Sequence, residues 1–209
     1  DVFTRRHDPG LADAVDVAPG YRVHHIDAGQ AETIPTRRLP TFVRDFAEGV
    51  VAVYRDNDRP DVVHSHYWLS GWAGLVIKRH LGVPLANSFH TLGRVKDLTR
   101  RDGEPPESLV RIAAEHEVIE GSDCLVASTP LEAEDLLTHY GADPGRLCMS
   151  PPGVDHRIFC PGDRKAARAR LGLDDSPLVL FVGRIQPLKA VDVAIETFAL
   201  VKNRVPDAK

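Results

Sequence analysis

DVVHSHYWLSGWAGLVIKRHLGVPLANSF, residues 61–89, decides the fold class of this chain. Its first six residues, DVVHSH (61–66), are rich in β-branched and alternating positions and read as a strand. Leu69 to Leu81 has helical spacing, and Gly82 and Pro84 stop it. PLANSF (84–89) is a second short strand. Strand, helix and strand in succession argue for a doubly wound parallel α/β sheet. Ligands of such sheets bind at the carboxyl ends of the strands.

The alternation continues outward in both directions. Upstream, Val2 and Phe3 look like the end of a strand, and YRVHHI (21–26) is another. A helix is expected from Leu39 to Arg55, with Phe42, Val43, Phe46, Val50, Val53 and Tyr54 at helical spacing. Downstream, 92–106 is polar and carries two prolines. Residues 107–121 form a helix with Leu109, Ile112, His116 and Ile119 on one face, stopped by Gly121. DCLVAS (123–128) is a strand. Thr129 caps the next helix, with Pro130 at its first position and Glu132 at the third. That helix ends before Gly141, and RLCMS (146–150) is a strand.

PPGVDHRIFCPGD (151–163), dense in Pro and Gly, reads as a linker between a domain at 1–150 and the start of another at 164–209. In the latter, Arg164 to Leu171 is a short helix. PLVLFVG (177–183), the most apolar run, has the composition of a buried parallel strand. A last helix covers Val191 to Val205. The chain has no initiating Met, opens inside a strand and closes without a terminal element, so both ends read as cuts.

Composition excludes several classes. The 209 residues are 43% hydrophobic and 27% charged, as in an ordinary globular protein. Net charge is −4, so neither nucleic acid nor an anionic membrane is an expected partner. No apolar run approaches the ~18 residues of a spanning helix, and DVFTRRHDPG lacks the apolar stretch of a signal peptide. Cys124, Cys148 and Cys160 form no Cys-x-x-Cys pair and read as free, mostly buried thiols in a reducing cytosol. There is no G-x-G-x-x-G, Walker loop, G-x-S-x-G or H-E-x-x-H.

Four segments carry chemistry. In 61–74, Tyr67 and Trp68 sit at a strand tip, and Gly71 and Gly74 allow close backbone approach. His64 and His66 share one face of the strand; without a third ligand, a hydrogen-bonded pair is the expected state and no metal is assigned. In 87–96, His90 and Thr91 follow a strand, at the ligand rim. There His90 is either a donor to a sugar hydroxyl or a satisfied imidazole. In 105–117, Arg111 and Glu115 are four apart and can simply pair. In 181–192, a strand ends at Gly183 and is followed by Arg184 and Lys189, with a helix starting near Val191. Two cations beside a helix N-terminus suit a diphosphate.

Taken in order, HSHYWLSG, HTL-x-x-VK, PES-x-x-R, HYGADP-x-R, PPGVD-x-x-x-F-x-PGDR and FVGRIQPLKA resemble the retaining GT-B glycosyltransferases of family 4 over nearly the whole chain. The nearest members glycosylate a phosphorylated inositol, and sucrose-phosphate-forming members come next. The resemblance implies a GT-B fold: an acceptor-side Rossmann-like domain without its first elements, then the first β-α unit of a donor domain. It implies transfer of a hexose from a UDP-sugar to a small phosphorylated polyol or sugar. No cofactor is required, with Mg2+ the one optional ion.

By the same resemblance, Tyr67, Thr91 and Arg111 bind the acceptor, His90 is catalytic beside the donor sugar, and Gly183, Arg184 and Lys189 bind the donor diphosphate. A cytoplasmic enzyme follows, with small-molecule partners and a homodimer as the assembly to test. Family members place a Lys three residues before the Leu of LPT; here that position is Thr36, with Arg37 and Arg38 adjoining. The glycine-rich first turn and the donor-domain glutamates are expected outside the chain, so this piece is expected to be inactive alone. Rival readings are a non-catalytic sugar- or nucleotide-binding module and a distant epimerase.

Overall fold

A computed structural model describes residues 1–54 and 59–209, with no side-chain description for Leu188. It divides into two compact units, one of residues 1–98 and 106–151, the other of 99–105 and 152–209.

The first unit holds two sheets. β1 (Val2–Arg5), β2 (Ala14–Ala18) and β3 (Tyr21–Ile26) order as β1-β3-β2, with β1 parallel to β3 and β2 antiparallel to it. Pro19 and Gly20 make the turn between β2 and β3, and Gly20 takes φ +74° as that reversal demands. The sequence reading passed over β2. Its signal was the alternation of Val15 and Val17 just before Pro-Gly, and all five residues are exposed, so no buried face announced it.

β4 (Val63–His66), β5 (Leu85–Ser88), β6 (Cys124–Ala127) and β7 (Leu147–Met149) form a fully parallel sheet in that order. α2 (Tyr67–Leu81) returns from β4 to β5, α4 (Leu109–Gly121) leads into β6, and α5 (Pro130–Tyr140) links β6 to β7. Gly82 ends α2 at φ +66°, where a side chain would be strained. α1 (Val43–Val53) starts later than expected because Thr36–Phe42 is a 3-10 turn. Pro40 lies inside that turn and has no N–H for an α-helical bond. The expected end at Arg55 lies outside the described residues. A short helix, α3 (Gly93–Leu98), occupies part of the polar stretch and is anchored by buried Leu92 and half-buried Val95.

Two apolar clusters make the core. One gathers Trp68, Leu85, Phe89, Val118, Leu125 and Leu136. The other gathers Ile26, Ala47, Val50, Ala73, Ile77 and Leu81. Each fully buried Leu or Phe contributes about 1.5–3 kcal/mol. α2 serves both clusters because its small residues let the sheet come close. A Cβ on Gly71 would lie 2.7 Å from both Asn87 Oδ1 and Val118 Cγ1, and one on Gly74 would lie 2.8 Å from Leu85 Cδ1.

Three expectations need correcting. In α4 the buried stripe is Arg111, Ala114, Glu115, Val118 and Ile119, whereas Leu109 is 85% exposed. A face that buries an ion pair does not read as apolar. The cysteines are not mostly buried: Cys124 is half-buried, and Cys148 and Cys160 are exposed. Cys148 lies on the edge strand β7 and Cys160 in the loop before α6 (Arg164–Arg170).

The third correction concerns the second unit. Its described elements are α6, a 3-10 turn over Pro187–Lys189, and α7 (Val191–Arg204). Residues 177–183 are not a buried strand: Leu180 is 75% and Val182 84% exposed. A parallel strand is made by its neighbours. Among the described residues, the backbone bonds of this run are with Lys209, from Val179 N–H to its carbonyl and from its N–H to the Pro177 carbonyl, each at 2.8 Å.

Candidate functional site

The carboxyl ends of β4 and β5 form the rim on which most of the sequence-derived site residues fall. Both strands leave the sheet through a strained residue. Tyr67, just after β4, has φ +75°, and His90, two residues past β5, has φ +61°. Left-handed backbone at non-glycine residues costs about 1–3 kcal/mol each and persists only where surrounding contacts hold it. Those contacts are present. His90 N–H donates to Glu132 Oε1 at 3.0 Å, and Ser128 N–H donates to Glu132 Oε2 at 2.8 Å. Thr129 caps α5 by accepting from Glu132 N–H at 3.1 Å. Glu132 therefore does more than complete a helix cap: its carboxylate ties the His90 turn to α5.

Three imidazoles line this rim. His64 and His66 face the same side, their ring centres 4.3 Å apart. His66 Nδ1 and His90 Nε2 are 2.9 Å apart, and the two rings stack at 5.2 Å. One of that pair must donate and the other accept, so at least one is neutral. Burial, then the charge of His90, pushes the pKa of His64 below its ordinary value. Burial, then His64 and His90, does the same to His66. His64 Nε2 lies 3.0 Å from Ser88 Oγ. Among the described residues, no group of three or more His, Cys, Asp or Glu could hold a metal ion.

Arg111 reaches the rim from α4. Its guanidinium sits 5.2 Å from the centre of the Tyr67 ring and donates from Nη2 to Thr91 O and Oγ1 at 3.1 and 3.2 Å. The structure thus brings Tyr67, Thr91 and Arg111 together, next to His90 in the chain. The expected pairing with Glu115 also forms, Nε to Oε1 at 2.7 Å, and Nη1 lies 3.2 Å from Glu107 Oε2. Arg111 is 3% exposed and Glu115 0%.

The sequence reading paired Glu115 with Arg111, but not with the other groups it serves. Glu115 also accepts from Gly93 N–H at 3.0 Å and from the Tyr140 hydroxyl. Burial, then the contact with Glu115, raises the Tyr140 pKa, although the Arg94 N–H donated to its oxygen works the other way. A Cβ at residue 93 would meet Ile112 Cδ1 at 2.6 Å, so this network requires Gly93. The i,i+4 spacing signalled the Arg111 pair, but the Gly93 and Tyr140 contacts come from 22 and 25 positions away and leave no local mark. Beside the rim, a cavity of about 270 Å3 opens between Arg5 and Phe42 on one side and His66, Tyr67 and Ser70 on the other. Arg37 and Arg38 lie in the adjoining 3-10 turn and are exposed.

In the second unit, Gly183, Arg184 and Lys189 are all exposed. Lys189 closes the 3-10 turn, and Ala190, at φ +52°, starts α7 without a side-chain cap. Among the described residues, neither cation is paired with an acid. Asp192, in the first turn of α7, is instead engaged by Arg101 at 2.7 Å, which lowers its pKa. The first turn of this helix is thus open to an anion beside two uncommitted cations.

A parallel sheet with polar, strained turns at its carboxyl edge defines a ligand-binding α/β domain, and its relatives say which kind. Residues 1–153 match the glycosyl transferase 4-like domain, and the chain belongs to that family. A D-inositol 3-phosphate glycosyltransferase of Geodermatophilus obscurus is 45% identical over 95% of this chain and 45% of its own length. D-inositol 3-phosphate glycosyltransferase 2 of Catenulispora acidiphila is 43% identical over the whole chain and 50% of its own length. Sucrose-phosphate synthase of Thermosynechococcus elongatus matches in structure with a TM-score of 0.86 at 28% identity, over 99% of this chain and 50% of that one. The fold is that of the GT-B glycosyltransferases, and the chain spans about half the length of the curated relatives it matches. Among the described residues, no helix is long and apolar enough to cross a membrane.

Proposed function

We propose that the protein containing this chain is a retaining hexosyltransferase that moves a sugar from a UDP-sugar to a small phosphorylated polyol or sugar, inositol phosphate first among them. The observation that carries this reading is the rim of His66, Tyr67, His90, Thr91 and Arg111, held at the strand ends in a chain of this family. Residues 1–150 form the acceptor side, 151–163 the linker, and 164–209 the beginning of the donor side. The remaining donor-side strands, which would cover the exposed 177–183 run, come from the rest of the full-length protein.

Departure of the nucleotide leaves negative charge on the diphosphate, and stabilising that charge is the main catalytic task when the sugar passes through an oxocarbenium-like state. Arg184 and Lys189 supply that charge, and Gly183 lets the backbone approach. His90, positioned by His66 and Glu132, hydrogen-bonds to the donor sugar. Tyr67, Thr91 and Arg111 hold the acceptor, with Arg111 supplying a charge-assisted bond to its phosphate. Attack is from the front face, without a protein nucleophile.

The test is transfer from UDP-N-acetylglucosamine and UDP-glucose by the full-length protein, with inositol phosphate and fructose 6-phosphate compared as acceptors. Arg184→Ala and Lys189→Ala are each expected to lower kcat/KM by about 100-fold or more. Wild-type rates in both would sink the donor assignment. Because Arg111 is also a buried structural group, Thr91→Ala and Tyr67→Phe test the acceptor side, with an expected rise in acceptor KM. The likeness in structure to sucrose-phosphate synthase makes fructose 6-phosphate the second candidate.

A further inference from the structure

Cys124 opens β6, and Cys148 is the middle residue of β7, the edge of the parallel sheet. Val126 is the register partner of Cys148, and Cys124 lies two residues before Val126. Both thiols therefore project from the same face of the sheet. Their Sγ atoms are 2.8 Å apart, closer than two unbonded sulfurs rest, and about 0.8 Å from the ~2.05 Å of a disulfide. Cys148 is exposed and Cys124 half-buried, so solvent and small oxidants reach the pair.

We propose that Cys124 and Cys148 are a reversible oxidation site, closing to an intramolecular disulfide in exchange with a small-molecule disulfide such as oxidised glutathione. The exposed Cys148 thiolate attacks the glutathione disulfide. One glutathione leaves as its thiolate, and a mixed disulfide forms on Cys148. Cys124 then loses its proton and attacks Cys148 Sγ, expelling the second glutathione. Two protein thiols and one glutathione disulfide become one protein disulfide and two glutathiones. In the reduced pair burial, then the neighbouring Cys148, raises the Cys124 pKa to about 11; burial persists in the mixed disulfide, so the second step quickens as pH rises.

The bridge would close residues 124–148 into a loop containing α5 and Glu132. It would thereby clamp the edge strand and brace the helix that holds the His90 turn.

Trypsin places each of the three cysteines in its own peptide, Cys124 in 112–146, Cys148 in 147–157 and Cys160 in 158–164. The full-length protein is incubated with oxidised glutathione, alkylated, digested and analysed by mass spectrometry. The expected product is 112–146 joined to 147–157, lost on adding dithiothreitol. It is absent in Cys124→Ser and in Cys148→Ser and retained in Cys160→Ser. Oxidation is expected to raise the thermal midpoint of the first unit by roughly 5–10 °C, with no rise in either of the first two variants. The proposal is overturned if both peptides are recovered alkylated, or carry glutathione only, or if Cys148 pairs with Cys160. A linked product with no thermal shift would overturn the bracing role.

Discussion

Replacing Glu115 with alanine should be among the most costly single changes in the first unit. The carboxylate is 0% exposed and accepts from Arg111 Nε, Gly93 N–H and the Tyr140 hydroxyl. Glu115→Ala strands three buried donors at once, each worth about 1–2 kcal/mol when left unpaired. Arg111 keeps Glu107 at 3.2 Å, which softens the loss. The total comes to about 4 kcal/mol, within the range for breaking a buried ion pair. With a urea m-value of about 2 kcal/mol/M, the midpoint should fall by about 2 M. The two tryptophans, Trp68 and Trp72, both lie in the first unit, so their fluorescence reads its unfolding without interference from the second. Glu115→Gln keeps the shape and one accepting oxygen and should lose about half as much. Glu120→Ala, exposed on the same helix, should move the midpoint by less than about 0.3 M. A Glu115→Ala midpoint no lower than that of Glu120→Ala would refute the network as a stabilising unit.

Other perturbations follow from the same geometry. His64 and His66 both have native pKa values depressed below the ordinary 6.5, so the unfolded chain binds protons first. The stability they confer is full above about pH 6.5 and is lost as pH falls through the lower native values. Urea midpoints should be flat from about pH 8 to 7 and then decline, and a His64→Gln/His66→Gln double variant with an undiminished decline would refute this assignment. Gly71→Ala should cost about 1–3 kcal/mol, since its Cβ would lie 2.7 Å from Asn87 Oδ1 and Val118 Cγ1. Gly153→Ala, with nothing within 4 Å, should be silent in the same denaturation assay. Thr129→Ala removes the cap on α5 and should cost about 0.5–2 kcal/mol, and hydrogen exchange at Glu132 should quicken.

The elements most legible in the sequence were those whose burial is apolar and whose ends are chemically marked. α2 is of this kind, with Gly82 and Pro84 as a stop; β4 and β5, which bury Ser65, Asn87 and Ser88, were legible from their place on either side of it. α5 is also of this kind, with its Thr129-Pro130-Glu132 start and Gly141 end. Elements defined by something other than their own residues were not legible. β2 is an edge strand with no buried face, and only its partner β3 makes it a strand. Residues 177–183 fail in the opposite sense: their composition is that of a buried strand, but among the described residues no strand pairs with them, and burial is a property of the assembled sheet. The site divides along the same line. Tyr67, His90 and Thr91 stand beside strand ends, where a ligand rim was expected, whereas Arg111 read by itself was only a partner for Glu115 and entered through the family resemblance. Glu132 and His66 hold His90 through contacts 42 and 24 positions apart, and Glu115 reaches Gly93 and the Tyr140 hydroxyl 22 and 25 positions away. A local pattern cannot carry that information. It shows instead as strain, because left-handed backbone at Tyr67 and His90 would relax unless distant groups held it. On that reasoning Glu132→Ala should loosen the His90 turn even though Glu132 is not expected to touch substrate. Its effect belongs in kcat through a misplaced imidazole, and a variant with normal kcat would mean that the turn holds its shape without α5.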